Sequence, residues 1–221
     1  MAALLAVSTL PTPAEEEVVI SRSAAGQLQV GIDFAQPSRL PVSVFPGMPG
    51  YATGEMGLHS AAFDEPTNDL FQLSPEADCR LILVAKDPGI EVWNDHGSAF
   101  MEVGEEFYIG TAPFDTHPLW NIVHGQPGDS YSLTLKVRDL KGVYADSAPF
   151  VLSFTPDPPV LNLTAAAPGF LTLSWTPDTS GFVLQVSPTL SPAAWTNAPS
   201  GAANPVTLPM SAATGFYRVS R

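Results

Sequence analysis

Ser130-Tyr131-Ser132-Leu133-Thr134-Leu135-Lys136-Val137-Arg138-Asp139 carries the clearest structural signal in the chain. Its apolar and aromatic members alternate with polar ones, so Tyr131, Leu133, Leu135 and Val137 fall on one face. A period of two is that of a half-buried β-strand. Pro127-Gly128-Asp129 turns into the strand, and Leu140-Lys141-Gly142 turns out of it. Phe150-Val151-Leu152-Ser153-Phe154 then returns as the partner strand. A hairpin-like close of this kind, with a tyrosine at the head of a late strand, is common in β-sandwiches.

Working outward, the same pattern recurs in short pieces. Upstream, strands are expected at Glu17–Ile20, Gln27–Phe34, Gln72-Leu73, Arg80–Ala85, Ile90–Trp93, Glu106–Ile109 and Leu119–Val123. The proline- and glycine-rich passage from Pro37 to Gly54 reads as a long loop or a set of edge strands. Downstream, Leu161–Thr164, Phe170–Trp175, Phe182–Ser187, Ala194–Thr196 and Phe216–Val219 make a second series with turn residues between them. Trp175 and Trp195 are its expected core anchors.

Composition agrees. The 221 residues hold 45% hydrophobic residues, enough for a real core, with 23 prolines and 17 glycines that disfavour long helices. The fold class expected is all-β, with two sandwich-like domains. Residues 15–155 form the first, 156–159 a proline-rich linker and 160–221 the second.

Charge is uneven. The formal net charge is −13, yet from residue 151 onward only Asp157, Asp178, Arg218 and Arg221 are charged. The acidic excess therefore lies in the first domain. Such a surface repels phosphate backbones and anionic lipid, so nucleic acid is not an expected partner. The first fourteen residues, Met1 to Ala14, combine an apolar run with small residues, as a signal-peptide remnant or a disordered tail would, and lack a basic start. They are too short to span a bilayer, and no later stretch does so. Export to the periplasm, cell surface or medium is the expectation. Cys79 is the only cysteine, in a strand-like stretch with no partner base evident, and reads as a core thiol.

Two segments resemble known families. Leu171-Thr172-Leu173-Ser174-Trp175, Gly181–Ser187, Trp195 and Phe216-Tyr217-Arg218-Val219 are similar to fibronectin type III-like modules near the C-termini of exported proteins of Verrucomicrobia and Planctomycetes. That resemblance implies a spacer or adhesive element. Gly57-Leu58-His59, Asp115-Thr116-His117-Pro118-Leu119-Trp120-Asn121, Tyr131–Leu135 and Asp146–Phe150 resemble bacterial surface proteins of the PEP-CTERM type, including members repressed by a zinc-uptake regulator. This second resemblance implies a surface protein and hints at a metal. Its members often end in a sorting anchor, which is not expected of the stretch Gly215–Arg221.

All four histidines lie between His59 and His124. Zinc and copper favour imidazole nitrogens, with carboxylates completing the shell. His59 and His117, with Asp64 and Asp115, are the candidate metal ligands, and His96 and His124 are further ones. No His-x-His or His-x-x-x-His pair enforces a site locally. The competing reading is structural: His117 precedes Pro118, and its ring could bond a neighbouring carbonyl or Asp115. His96 and His124 then sit in surface turns. Asp64-Glu65-Pro66-Thr67-Asn68-Asp69 offers oxygen ligands to calcium without the EF-hand spacing, and a solvated loop is the simpler reading. Hydrolytic chemistry has less support. There is no Gly-x-Ser-x-Gly elbow and no phosphate-binding glycine loop, and Ser60 beside His59 would point to the opposite face of a strand. Glu105-Glu106 has no context for glycoside hydrolysis.

The function expected is non-enzymatic: an exported binding or surface-associated protein that holds zinc or copper at His59 and His117, with calcium a lesser candidate. Its partner is a metal ion or a cell-surface or extracellular component. The alternatives are a metal-dependent hydrolytic or oxidative enzyme using the same histidines, and a carbohydrate-binding module with Trp93 or Trp120 as stacking platform.

Overall fold

A computed structural model of the protein describes residues 16–126, 128–176, 178, 181–209 and 215–220. The signal-peptide expectation for residues 1–14 lies outside them. The described chain is all-β and of sandwich type, with one 3-10 turn at Pro66–Asn68. Among the described residues no helix is long and apolar enough to cross a membrane. The chain divides into two compact units, neither of them continuous. The first takes the described residues up to Ser38, then Thr53–Asn121 and Tyr131–Phe154. The second takes Arg39–Ala52, Ile122–Ser130 and the described residues from Thr155 on.

The strands up to the proline-rich stretch are Glu17–Arg22 (β1), Leu28–Ile32 (β2), Ser38–Leu40 (β3), Tyr51–Thr53 (β4), Gly57–Ser60 (β5), Cys79–Lys86 (β6), Ile90–Trp93 (β7), Glu106–Gly110 (β8), Asp115–Thr116 (β9), Leu119–Ile122 (β10), Tyr131–Asp139 (β11) and Phe150–Pro156 (β12). They form a four-stranded sheet ordered β2-β1-β5-β9, a three-stranded sheet β4-β10-β7 and a five-stranded sheet β3-β12-β11-β6-β8. The expected hairpin is antiparallel, with Leu133 opposite Leu152 and Leu135 opposite Phe150. The alternation expected of β11 is realised, since Leu133, Leu135 and Val137 are fully buried. Val18, Ile20 and Leu58 are the buried faces of β1 and β5. Gln72-Leu73 is no strand; its neighbour Phe71 makes an isolated bridge to Arg22. Trp120 is 0% exposed, donates its indole N–H to the Met56 carbonyl at 3.1 Å and stacks on Phe154 at 5.5 Å. It is a core residue, which removes it as a stacking platform for an outside ligand.

The later strands are Val160–Ala165 (β13), Phe170–Thr176 (β14), Val183–Ser187 (β15), Thr196–Asn197 (β16), Val206–Pro209 (β17) and Phe216–Ser220 (β18). They form sheets β13-β14-β17 and β16-β15-β18 around Leu173, Trp175, Phe182, Leu184 and Ala198. The Asn204 amide clamps the Trp175 main chain, accepting from its N–H at 3.0 Å and donating to its carbonyl at 2.8 Å. Trp175 is the anchor expected. Trp195 is not: it is half-buried, with the Arg218 guanidinium 4.5 Å above its ring.

One buried carboxylate organises the end of β11. Asp139 accepts the main-chain N–H groups of Asp78 at 2.9 Å, Lys141 at 3.0 Å, Val143 at 2.6 Å and Tyr144 at 3.1 Å. An alanine there strips an acceptor from four amides, of which those in the solvent-facing turn recover water. Asp139→Ala is expected to cost about 2–4 kcal/mol and Asp139→Asn, which keeps one oxygen, clearly less. Urea unfolding of both variants measures this, and equal losses would contradict it.

On the outer face, Lys136 and Arg138 share Asp146, at 2.6 and 3.3 Å. The hydrogen bond from Lys136, more than its charge, holds the Asp146 carboxyl below the ordinary aspartate value. A depressed value means a contribution that is complete above the unfolded carboxylate range and is lost as pH falls through the lower folded value. Asp146→Asn should therefore lower the urea midpoint at neutral pH and not in strong acid. A difference that persists unchanged in acid would rule this account out.

Candidate functional site

The strand pairing of the four-stranded sheet decides which polar residues meet. β1 and β5 run parallel, with Glu17 beside Gly57 and Val19 beside His59. β9 runs antiparallel to β5 and sets Asp115 directly opposite His59. Since Val18, Ile20 and Leu58 face inward, Glu17, Gly57, His59 and Asp115 share the outer face. The tight corner before β9 depends on Gly110, whose φ is 146° and where a Cβ would lie 2.3 Å from that of Phe114. Ser60, on the inner side, is bonded through its hydroxyl oxygen by the Phe114 N–H at 3.1 Å. It is a structural clasp for the same corner.

Two histidine–carboxylate pairs stand on that face. His59 Nδ1 lies 3.2 Å from Glu17 Oε2. His117 Nε2 lies 3.2 Å from Asp115 Oδ1, and its Nδ1 lies 2.8 Å from the Gly54 carbonyl oxygen. A carbonyl only accepts, so Nδ1 carries the proton, and in the neutral ring Nε2 presents a lone pair to the carboxylate. Two lone pairs at that distance require a proton or a cation between them. A divalent metal bonded at about 2.0–2.2 Å to each donor would hold two such atoms about 3 Å apart. The His117 ring is seated on Gly57, where a Cβ would come within 3.0 Å of Cε1. His117 is 43% and Asp115 72% exposed, so the imidazole is fixed while the carboxylate stands in water.

The structure thus brings His59, Asp115 and His117 onto one surface. Glu17, which the sequence reading missed, joins them. Only the parallel β1–β5 pairing delivers it, and no local pattern announces such a pairing. Asp64 is used elsewhere: its carboxylate accepts the Gln72 N–H at 2.8 Å. The rest of that acidic loop is similarly engaged, Asp69 with the Ala24 N–H at 2.8 Å and Glu65 with the Asn68 amide at 2.7 Å. His96 is exposed in a turn beside Asp95, and His124 in a bend. Among the described residues no group of three or more His, Cys, Asp or Glu is gathered so as to hold a metal ion. Cys79 is fully buried, and burial, reinforced by Asp139 and Asp78, pushes its thiol up to about 12, which leaves it no nucleophile. Trp93 is half-buried against Phe100, with its indole N–H on Glu91 at 2.9 Å.

Compared with known proteins, the chain matches no family model and no curated protein. Gly57 gives the local geometry a direct test. Gly57→Ala should push the His117 ring by a few tenths of an ångström and cost about 1–2 kcal/mol through overpacking. The measurement is the imidazole signal of His117 by NMR together with thermal unfolding; an unmoved ring at wild-type stability would show that the two do not touch.

Proposed function

We propose that this chain is an exported, surface-associated binding protein without catalytic activity, and that its acidic unit takes a divalent transition metal on the outer face of β1, β5 and β9. His117 and His59 supply imidazole nitrogens and Asp115 the shared carboxylate. The observation that carries this reading is the His117 arrangement: Nδ1 tied to the Gly54 carbonyl and Nε2 aimed at Asp115. A ring so oriented by its second nitrogen is the usual state of a metal-bound histidine. His59, opposite Asp115 in register, reaches the same ion by one rotation away from Glu17. Such a partly exposed set, completed by side-chain movement, suits zinc or copper at modest affinity, and calcium less because it prefers oxygen throughout. The second unit, with its separate core, serves as a spacer or an adhesive element toward a cell-surface or extracellular component.

Zinc titration of the purified protein by calorimetry tests the metal reading. One site is expected, with a dissociation constant on the order of micromolar, weakened about tenfold or more in His117→Ala and in Asp115→Asn. Asp64→Asn should leave it unchanged. Absence of binding by zinc and copper alike, or binding indifferent to His117, would defeat the proposal.

A further inference from the structure

The first unit has a cleft that the histidine face does not use. β8 is the last strand of the five-stranded sheet and β9 the last of the four-stranded one. Their edges and the turn at Asn94–His96 border an open cleft of about 470 Å³, with Asp95, His96, Tyr108, Asp115 and Thr116 on the walls. That volume is within the range of small-molecule sites.

We propose that this cleft binds carbohydrate, one or two sugar rings of a neutral glycan. Three features select that chemistry. First, Asp95 and Asp115 in a strongly acidic chain reject phosphate and sulfate groups. Second, terminal strands present N–H as well as C=O groups along their open edges. A cation satisfies the carboxylates and carbonyls and leaves the N–H groups without acceptors, whereas hydroxyls both donate and accept. Third, Tyr108 is an aromatic already held in place. It is 55% exposed, and the Arg80 guanidinium lies 4.8 Å over its ring. Arg80 is itself fixed by Asp78 through contacts of 2.7 and 3.1 Å. The Tyr108 hydroxyl has no hydrogen-bond partner among the described residues. A ring with little freedom left to lose is a low-cost platform for the C–H face of a sugar, and its hydroxyl is free for one of the ligand's.

The remaining wall is preset. Asn94 is committed to the turn, donating to the Ser98 hydroxyl and accepting its N–H, both at 2.9 Å. Asp95, 3.6 Å from His96 Nδ1, is the carboxylate acceptor that the turn offers to the cleft. The aromatic platform is therefore Tyr108, in place of Trp93 or Trp120.

The test is an NMR titration of the full chain, in the presence of EDTA, with short oligosaccharides of glucose, mannose, galactose, xylose and N-acetylglucosamine as separate probes. EDTA and the use of Asp95 and Tyr108 variants keep the result apart from that of the metal reading. At least one probe is expected to shift the signals of Asp95, Tyr108 and Thr116. Tyr108→Ala should weaken that binding about tenfold and Tyr108→Phe less, with Asp95→Asn also weaker and Asp64→Asn, which lies outside the cleft, unchanged. Thermal unfolding checks that each variant is folded. The proposal falls if no probe perturbs the cleft, if binding survives both Tyr108→Ala and Asp95→Asn, or if spermidine occupies the cleft where every sugar fails.

Discussion

The first unit depends on the carboxylate of Asp139 at the end of β11. Its two oxygens accept four main-chain amides, one from Asp78 just before β6 and three from the turn that follows. A buried carboxylate is tolerable only when its lone pairs are used in this way. The bonds fix where β6 starts against β11, and the Asp139–Cys79 pairing continues that register. β8 then takes its register from β6, with Tyr108 opposite Arg80. The edge lining the cleft is thus two strands removed from the carboxylate that sets its position. Asn204 does similar work in the second unit by capping both main-chain groups of Trp175. At these two places a side chain takes over where the regular ladder is interrupted.

The sequence was most legible where one strand's period was enough. β11 and its partner β12 could be placed because alternation fixes which face is buried, and the turn residues fix the ends. Asp139 before Leu-Lys-Gly was visible as a turn, but not as the acceptor for Asp78, which lies 61 residues away. Trp120 misled for a related reason. β10 is buried on both faces, so its residues carry no alternation to show which way the indole points. Trp195 misled in the opposite sense: an aromatic next to a strand looks like core, yet a two-residue strand leaves it partly outside, under Arg218.

The candidate site shows the same division. His59 and His117 stood out by residue type, and β5 and β9 bring their neighbourhood together through the His59–Asp115 pairing. Glu17 could not be found, because a parallel pairing leaves no short turn between its strands for a sequence to display. Asp64 drew attention as an acid in an acidic loop. Such residues more often serve their own backbone, and the Gln72 amide claims this one.

Asp115 is where the two proposed sites touch. It faces His117 at 3.2 Å and also lines the cleft to which Tyr108 contributes. The imidazole is immobilised by Gly54 and Gly57, while the carboxylate is largely in water, so the mobile partner is the acid. Were a metal to draw Asp115 toward the histidines, the cleft would lose one of its two carboxylate acceptors. A sugar hydroxyl bonded to Asp115 would equally compete with the metal. Were both ligands to bind, their coupling would be reciprocal by thermodynamic necessity and negative, carried by one side chain that cannot serve both fully. Its size would be bounded by what a single exposed carboxylate contributes to either ligand, which amounts to weak opposition and not an all-or-none switch.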